Sequence, residues 1–292
     1  MDTAKKRGTS NVLGSYILWG LLPAFWNLLA EVNSMYILAQ RVIWSLIVMT
    51  LFLAVTRRAK DIVLVFADLK TVLYSLLCGI LICINWGIYI YAVNSGNVLD
   101  ASLGYFLEPI VVTIIGVAAF HEKMSRPEQL TVVFAIIGIG YLIWAHRVFP
   151  IMAILISLSF GFYGAVKKNL KLYPELSLFA ETLMMTPAAL LFCIYSEMHG
   201  TGSIGILSGP QFLLLPLAGI VTLIPLTLFN RGIHHIPYYL TGILMYINPT
   251  IQFLMGLFYF HEPLEINRLI AFCFVWCGIG FTIYHNVKKI RK

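Results

Sequence analysis

Residues 109–122 read PIVVTIIGVAAFHE, and residues 249–262 read PTIQFLMGLFYFHE. The two stretches lie 140 positions apart, and the match continues at that offset. Pro109 falls on Pro249, Gly116 on Gly256, and Phe120-His121-Glu122 on Phe260-His261-Glu262. Farther on, Phe134 meets Phe274, Gly138-Ile139-Gly140 meets Gly278-Ile279-Gly280, and Ile143 meets Ile283. Ten identities therefore fall in a gapless window of 35 residues, and Gly79 and Gly219 keep the same offset. Apolar helices look alike by composition, but Pro, Gly and His-Glu do not recur at a single offset for that reason. The chain divides into two copies of one unit, expected at 1–147 and 148–292.

The copies are built for a bilayer. Of 292 residues, 60% are hydrophobic and 11% charged, and the mean hydropathy is +0.86. Soluble domains run near half apolar and a quarter charged, so no water-soluble globule could hide this much apolar surface. A soluble enzyme, a disordered chain and a disulfide-rich secreted module are excluded. At about 20 residues per spanning helix, ten spans are expected. They fall near 11–29, 35–55, 72–94, 99–119, 128–145, 149–166, 176–195, 211–229, 237–260 and 265–284. The first is read as a retained helix rather than a cleaved leader, because it has a counterpart inside the chain. The 196–210 connection, rich in Gly and Ser, reads as a flexible loop.

Five spans per copy is an odd number, so the second copy enters the membrane upside down. The expected fold is an all-α integral membrane protein of ten transmembrane helices in two inverted five-helix repeats. Two similar halves facing opposite ways can exchange conformations and open a central site to each side in turn. Charge gives the orientation. With the N-terminus inside, seventeen Lys and Arg fall in inner segments, only Arg147 and Arg268 fall outside, and Arg41 lies within a span. That bias predicts two cytoplasmic termini. It also accounts for the net charge of +7 without invoking nucleic acid, which is not an expected partner.

Several motifs bear the stamp of a known family. These are Tyr16-x-x-Trp19-Gly20, Arg41-Val-Ile-Trp44-Ser45, Asn85-Trp86 and Ala101-Ser102-Leu103-Gly104-Tyr105-Phe106 in the first half. The second half has Ser159-Phe160-x-x-Tyr163-Gly164, Glu181-Thr182 and Tyr246-Ile247-x-Pro249-Thr250. Over nearly its whole length the chain resembles the drug/metabolite transporter superfamily, with two EamA-type repeats, and within it the RarD branch. Two departures stand out. Glu108 stands where the family usually has Asn, and His121-Glu122 and His261-Glu262 stand where it usually has Gly-Glu. The resemblance implies a carrier of metabolites or drugs in the plasma membrane and leans toward efflux.

Charges within spans mark function, because an ionised group at the bilayer centre costs about 2.5–3.5 kcal/mol on insertion scales. Arg41 anchors an anionic group of the solute, pairs with an acid such as Glu108 or Glu31, or snorkels to the outer headgroups. Glu108, near the midplane, offers a proton or amine site, or is a hydrogen-bonded structural acid. Glu181, the repeat partner of Arg41, reads as a gating or structural group. Pro109 and Pro249 are expected to interrupt corresponding helices beside Glu108 and Asn248, and paired interruptions point to a binding site. Asn85, Trp86, Tyr16, Trp19, Trp44, Tyr105 and Tyr246 are candidates for a cavity wall. Trp144 and Tyr284, near span ends, read as interfacial belt residues.

No cofactor is expected. A phosphate-binding GxxxxGK[ST] loop is absent from the sequence. The His-Glu pairs do not extend to HExxH, since Ser125 and Glu265 occupy the last position; each reads instead as an acid just before a helix start, where the chain reverses. The five cysteines lie in apolar runs and read as packing residues. The function expected is secondary transport of a small organic solute by alternating access, with the solute and the lipid bilayer as partners. The alternative is an integral-membrane enzyme acting on a lipid-borne substrate. It would need a cluster of His, Asp or Glu at one face, and the cytoplasmic loops offer Asp61, Asp68, Glu122 and Glu128 with no nucleophile–base pairing or metal spacing.

Overall fold

The computed structural model describes residues 3–94, 98–147 and 150–290. The 147/148 divide and the end of the basic C-terminal run, Arg291-Lys292, fall at or outside those residues. The elements are α1 (Thr3–Asn27), α2 (Ser34–Val55), α3 (Leu69–Asn94), α4 (Val98–Phe120), α5 (Arg126–His146), α6 (Ile151–Asn169), α7 (Pro174–Met198), α8 (Leu214–Ile233), α9 (Tyr238–Met245), α10 (Ile247–Phe258) and α11 (Ile266–Ile290). Short 3-10 helices at Ala59–Phe66 and Gly209–Leu213 lie in two of the connections.

Local chemistry sets the helix starts. The Asn33 side chain accepts from the Met35 and Tyr36 N–H groups and opens α2. Asp68 opens α3 by accepting from the N–H and hydroxyl of Thr71. Those bonds hold its carboxyl below the usual carboxylate range. Ser125 and Glu128 form a reciprocal capping box ahead of Pro127 on α5.

The His-Glu pairs turn out to be chain reversals. His121 (φ 52°) and His261 (φ 55°) both take the left-handed conformation that ends a helix. The next N–H in each copy returns to a helix carbonyl, Glu122 to Gly116 and Glu262 to Gly256. Glycine is the residue that adopts this conformation without strain, and a side chain there costs roughly 1–2 kcal/mol. His121→Gly is therefore expected to raise stability by about 1 kcal/mol, read as thermal unfolding in detergent. An unchanged or lowered midpoint would contradict the cap assignment.

Among the described residues nine segments are long and apolar enough to cross a membrane. They match the expected spans except the first, since α1 is diluted by Lys5, Lys6, Arg7, Gly8, Thr9, Ser10 and Asn11. It nonetheless packs lengthwise on α8, α9 and α10 and buries Val12, Tyr16 and Gly20. The outer faces are apolar, with Leu51, Ile84, Ile136, Leu191, Ile194 and Ile283 exposed, while Asn85, Glu108, Thr113, Glu181 and Asn248 are buried. This inside-out distribution is that of a bundle surrounded by lipid. Trp144 and Tyr284 lie on the exposed surface, as does the Cys273/Cys277 face of α11, so those two cysteines are not core filler.

Most helix packing runs between the halves rather than within them. The major pairs are α5 with α11, α4 with α6 and α9, α2 with α7 and α8, α1 with α8 and α10, and α3 with α6. Glycines let the backbones approach. Gly138 abuts Ala271 and Phe274, and Gly278 abuts Thr131 and Phe134, the same three positions moved by 140.

The two prolines behave differently. The ninth span breaks between α9 and α10 at Tyr246, where the ring of Pro249 would clash with the Met245 carbonyl four residues back. At Pro109, α4 continues unbroken, so the expected interruption there does not occur. The turn that follows Pro109 is closely packed, with the Thr113 hydroxyl donating to the Pro109 carbonyl and Gly242 of α9 pressed against both. The 196–210 connection, expected to be flexible, is anchored. The Glu197 carboxylate accepts from the Ser203 N–H and hydroxyl, the Ile204 N–H and the Tyr36 hydroxyl.

Candidate functional site

A cavity of about 390 Å³ lies between the halves. Its walls come from Trp19, Trp26 and Asn27 on α1, Arg41 on α2, and Asn85, Trp86 and Tyr89 on α3. Tyr105 and Glu108 on α4, Phe160 on α6, and Asn248 and Gln252 on α10 complete it. A second space of about 640 Å³ adjoins it, sharing Pro23, Tyr89, Tyr105, Gln252 and Phe260, and is bounded by Pro249, Glu262, Pro263, Glu265 and Arg268. The pair forms a vestibule leading toward the face that carries the 28–33 and 259–265 connections.

Arg41 occupies the side wall. Its guanidinium sits 3.9 Å from the centre of the Trp86 ring and 4.6 Å from that of Trp26. Its Nε donates to the Thr222 hydroxyl at 2.9 Å. Cation–π contacts and one neutral hydrogen bond keep the cation in place without neutralising it. The alternative of an ion pair with Glu108 or Glu31 is not realised, for neither carboxylate lies within ion-pair distance of Arg41.

Glu108 is buried on the opposing wall. Asn85 Nδ2 donates to its carboxyl at 3.2 Å, to the Ile156 carbonyl at 2.7 Å and to the Ser159 hydroxyl at 3.2 Å. Asn85 therefore ties α3 to α6 across the halves and orients the acid. The repeat partner of Glu108, Asn248, accepts from Gln252 Nε2 at 2.9 Å.

The opposite end is closed. Lys167 and Glu181 form an ion pair at 2.9 Å with side-chain exposures of 0% and 3%, and the Tyr163 hydroxyl donates to the same carboxylate. Next to it, Lys168 reaches Glu122 at 2.8 Å, and Glu122 accepts from the Tyr238 and Tyr239 N–H groups at the start of α9. The charge complements that helix terminus. Above these pairs Tyr16, Trp19, Phe160, Tyr163 and Phe229 pack ring against ring and form the floor of the cavity. Glu175 and Arg231 make a further ion pair at the same face. On that face Tyr173, ahead of α7, donates to Asp61, and burial together with that carboxylate pushes its hydroxyl up to about 12.

Of the residues singled out in the sequence, the structure brings Arg41, Asn85, Trp86, Glu108, Asn248, Trp19 and Tyr105 to one cavity, with Pro249 on the vestibule. Tyr16 is fully buried within the floor and does not line the cavity. Tyr246 is turned into the helix break, donating to the Phe106 carbonyl at 3.4 Å. Trp44 faces the Gln40–Tyr36–Glu197 network on the far side of α2. Sequence reasoning misses Trp26, Tyr89 and Gln252, which carry no charge or repeat signal. It also puts Lys167 in a loop, because the expected sixth span ends at 166. The helix runs on to Asn169, so the second Lys of the Lys167-Lys168 pair is partly exposed while the first is interred.

Comparison with known proteins agrees with this architecture. The sequence model of the EamA-like transporter family matches residues 6–144 and 149–284. The chain is 38% identical over 289 residues to the uncharacterized transporter YojE of Bacillus subtilis (strain 168), covering 98% of this chain and 96% of that one. It is 31% identical over 293 residues to the protein RarD of Salmonella typhi, covering 100% of both. A solved crystal structure superposes with a TM-score of 0.73 at 13% identity, over 95% of this chain and 97% of that one, which shows a shared fold.

Proposed function

Because this chain belongs to the EamA-like transporter family and is a membrane transporter, we propose that it carries a small organic solute across the plasma membrane by alternating access, in the direction of export. The observation that carries this reading is the cavity between the halves, open toward one face and shut at the other by the Lys167–Glu181 pair. In the proposed orientation both termini are cytoplasmic, as the distribution of Lys and Arg favours. The closed face is then the inner one and the structure is outward-facing. The solute rests between Arg41 and Glu108, against Trp19, Trp86 and Tyr105. Rocking of the halves opens the inner face and shuts the outer one.

Counterflow in proteoliposomes tests the reading whichever ion drives transport. Protein loaded with unlabelled amino acids, nucleosides or organic cations is expected to accumulate the labelled form of one class. Folded protein that exchanges none of them would remove the proposal. Glu108 is proposed to couple proton movement. Glu108→Gln is expected to keep counterflow but to lose accumulation driven by a pH gradient, because the amide keeps the Asn85 geometry and cannot release a proton. Equal pH-driven accumulation in variant and wild type would make Glu108 structural.

A further inference from the structure

The offset of 140 sets Asn27 against Lys167 and Arg41 against Glu181. In the second half these positions form the buried ion pair that shuts the inner face. In the first half they hold a neutral amide and a cation, and both line the open cavity. The next cation repeats the pattern. Lys168 pairs with Glu122, but its counterpart is Leu28. The closed face is thus fastened by matched charges, whereas Arg41, on the wall of the open cavity, has no ion-pair partner among the described side chains. Acids near that face do not supply the partner. Glu31 is exposed in the 28–33 connection, Glu197 is taken up by Tyr36, Ser203 and Ile204, Glu265 is taken up by His146 and Arg268, and neither Glu108 nor Glu262 lies within ion-pair distance of Arg41. Arg41 spends its Nε on Thr222. Its terminal nitrogens donate to no side chain among the described residues.

In an inverted repeat the packing of one half shows how the other packs once its own face has shut. Shutting the open face brings α1 and α2 together as α6 and α7 are now, with Arg41 sealed where Glu181 sits in the other copy. A cation sealed without a partner is heavily penalised, since its desolvation is not offset. We propose that the solute supplies the missing charge: an anionic group of carboxylate type, gripped by the two terminal nitrogens of Arg41, completes the pair and permits closure. An empty site stays open. Exchange then outruns net efflux, because the empty carrier returns only slowly. This inference rests on the carrier reading above.

The test places the missing charge on the protein. Asn27→Asp puts a carboxylate opposite Arg41, giving the ion pair of the other half with its polarity reversed. Closure is read in empty protein, as the rate at which an impermeant maleimide labels a Leu22→Cys reporter on the cavity wall in a background free of other cysteines. Flux is read as net efflux against exchange, with a panel of labelled amino acids and other small carboxylates. Asn27→Asp is expected to slow labelling by about tenfold and to raise net efflux to the exchange rate. Arg41→Gln is expected to slow labelling equally, and the double variant, which leaves an unmatched acid, to restore fast labelling. If Asn27→Asp labels as fast as wild type and the ratio of exchange to net efflux is unchanged, the inference fails while counterflow keeps the carrier reading. If folded wild type shows no counterflow with any probe, both fail.

Discussion

Lys167→Met is expected to destabilise the folded protein by about 3–5 kcal/mol, because removing one member of a buried ion pair strands the other charge. Glu181 is 3% exposed and its partners are Lys167 and the Tyr163 hydroxyl. A single neutral donor does not compensate an ionised carboxylate sealed among helices. The double variant Lys167→Met with Glu181→Leu is expected to recover most of the loss, since a buried pair and a packed apolar pair of similar volume are often close in energy. Thermal unfolding in detergent measures both. A double variant as weak as Lys167→Met alone would show that the damage came from packing, not charge. In counterflow the double variant separates stability from gating. It is expected to fold, yet to lose the preference for the state that is shut at this face.

Arg41→Ala is expected to weaken solute binding by about 2–5 kcal/mol, roughly 30- to 4,000-fold in Kd. Truncation removes the charge, the stack on Trp26 and Trp86, and the bond to Thr222 together. Arg41→Lys distinguishes these contributions. A lysine keeps the charge but not the planar fork that stacks on rings and meets a carboxylate with two parallel bonds. It is expected to recover only part of the affinity. Concentration dependence of counterflow gives the numbers, and thermal unfolding checks that each variant is folded. Equal affinity in wild type and Arg41→Ala would return Arg41 to a purely structural role.

The legible parts of this molecule are those with a physical period or a physical cost. Apolar runs mark the spans, since a helix in lipid needs about 20 such residues. The copy at offset 140 marks the inverted arrangement, because Pro, Gly and the His-Glu reversal are tied to backbone geometry that both halves need. Arg41, Glu108 and Glu181 stand out because a charge inside a span is expensive. The hidden parts are those in which type and position are common. Trp26 and Tyr89 look like any aromatic in an apolar helix, and only the fold turns them into the cavity. Lys167 is masked by Lys168, because two adjacent lysines at a helix end read as a solvated turn. Pro109 and Pro249 read alike, but only Pro249 breaks its helix, while Gly242 and Thr113 pack the turn that follows Pro109. The His-Glu pairs are legible as chain reversals. That Glu122 serves the start of α9, in the other half, is not, since the contact joins residues more than 100 apart.

The interlocking of the halves has a consequence for how the protein is made. Asn85 finds two of its three acceptors on α6, Glu122 serves α9, and α1 lies on α8 and α10. When the ribosome has delivered only α1 to α5, those helices already sit in the bilayer with polar groups whose partners have not been synthesised. The nascent first half is then an orphan that membrane quality control can recognise. Burial of those groups waits on the arrival of α6, and a chain truncated after α5 is expected to be degraded rather than to accumulate, which pulse-chase labelling would read.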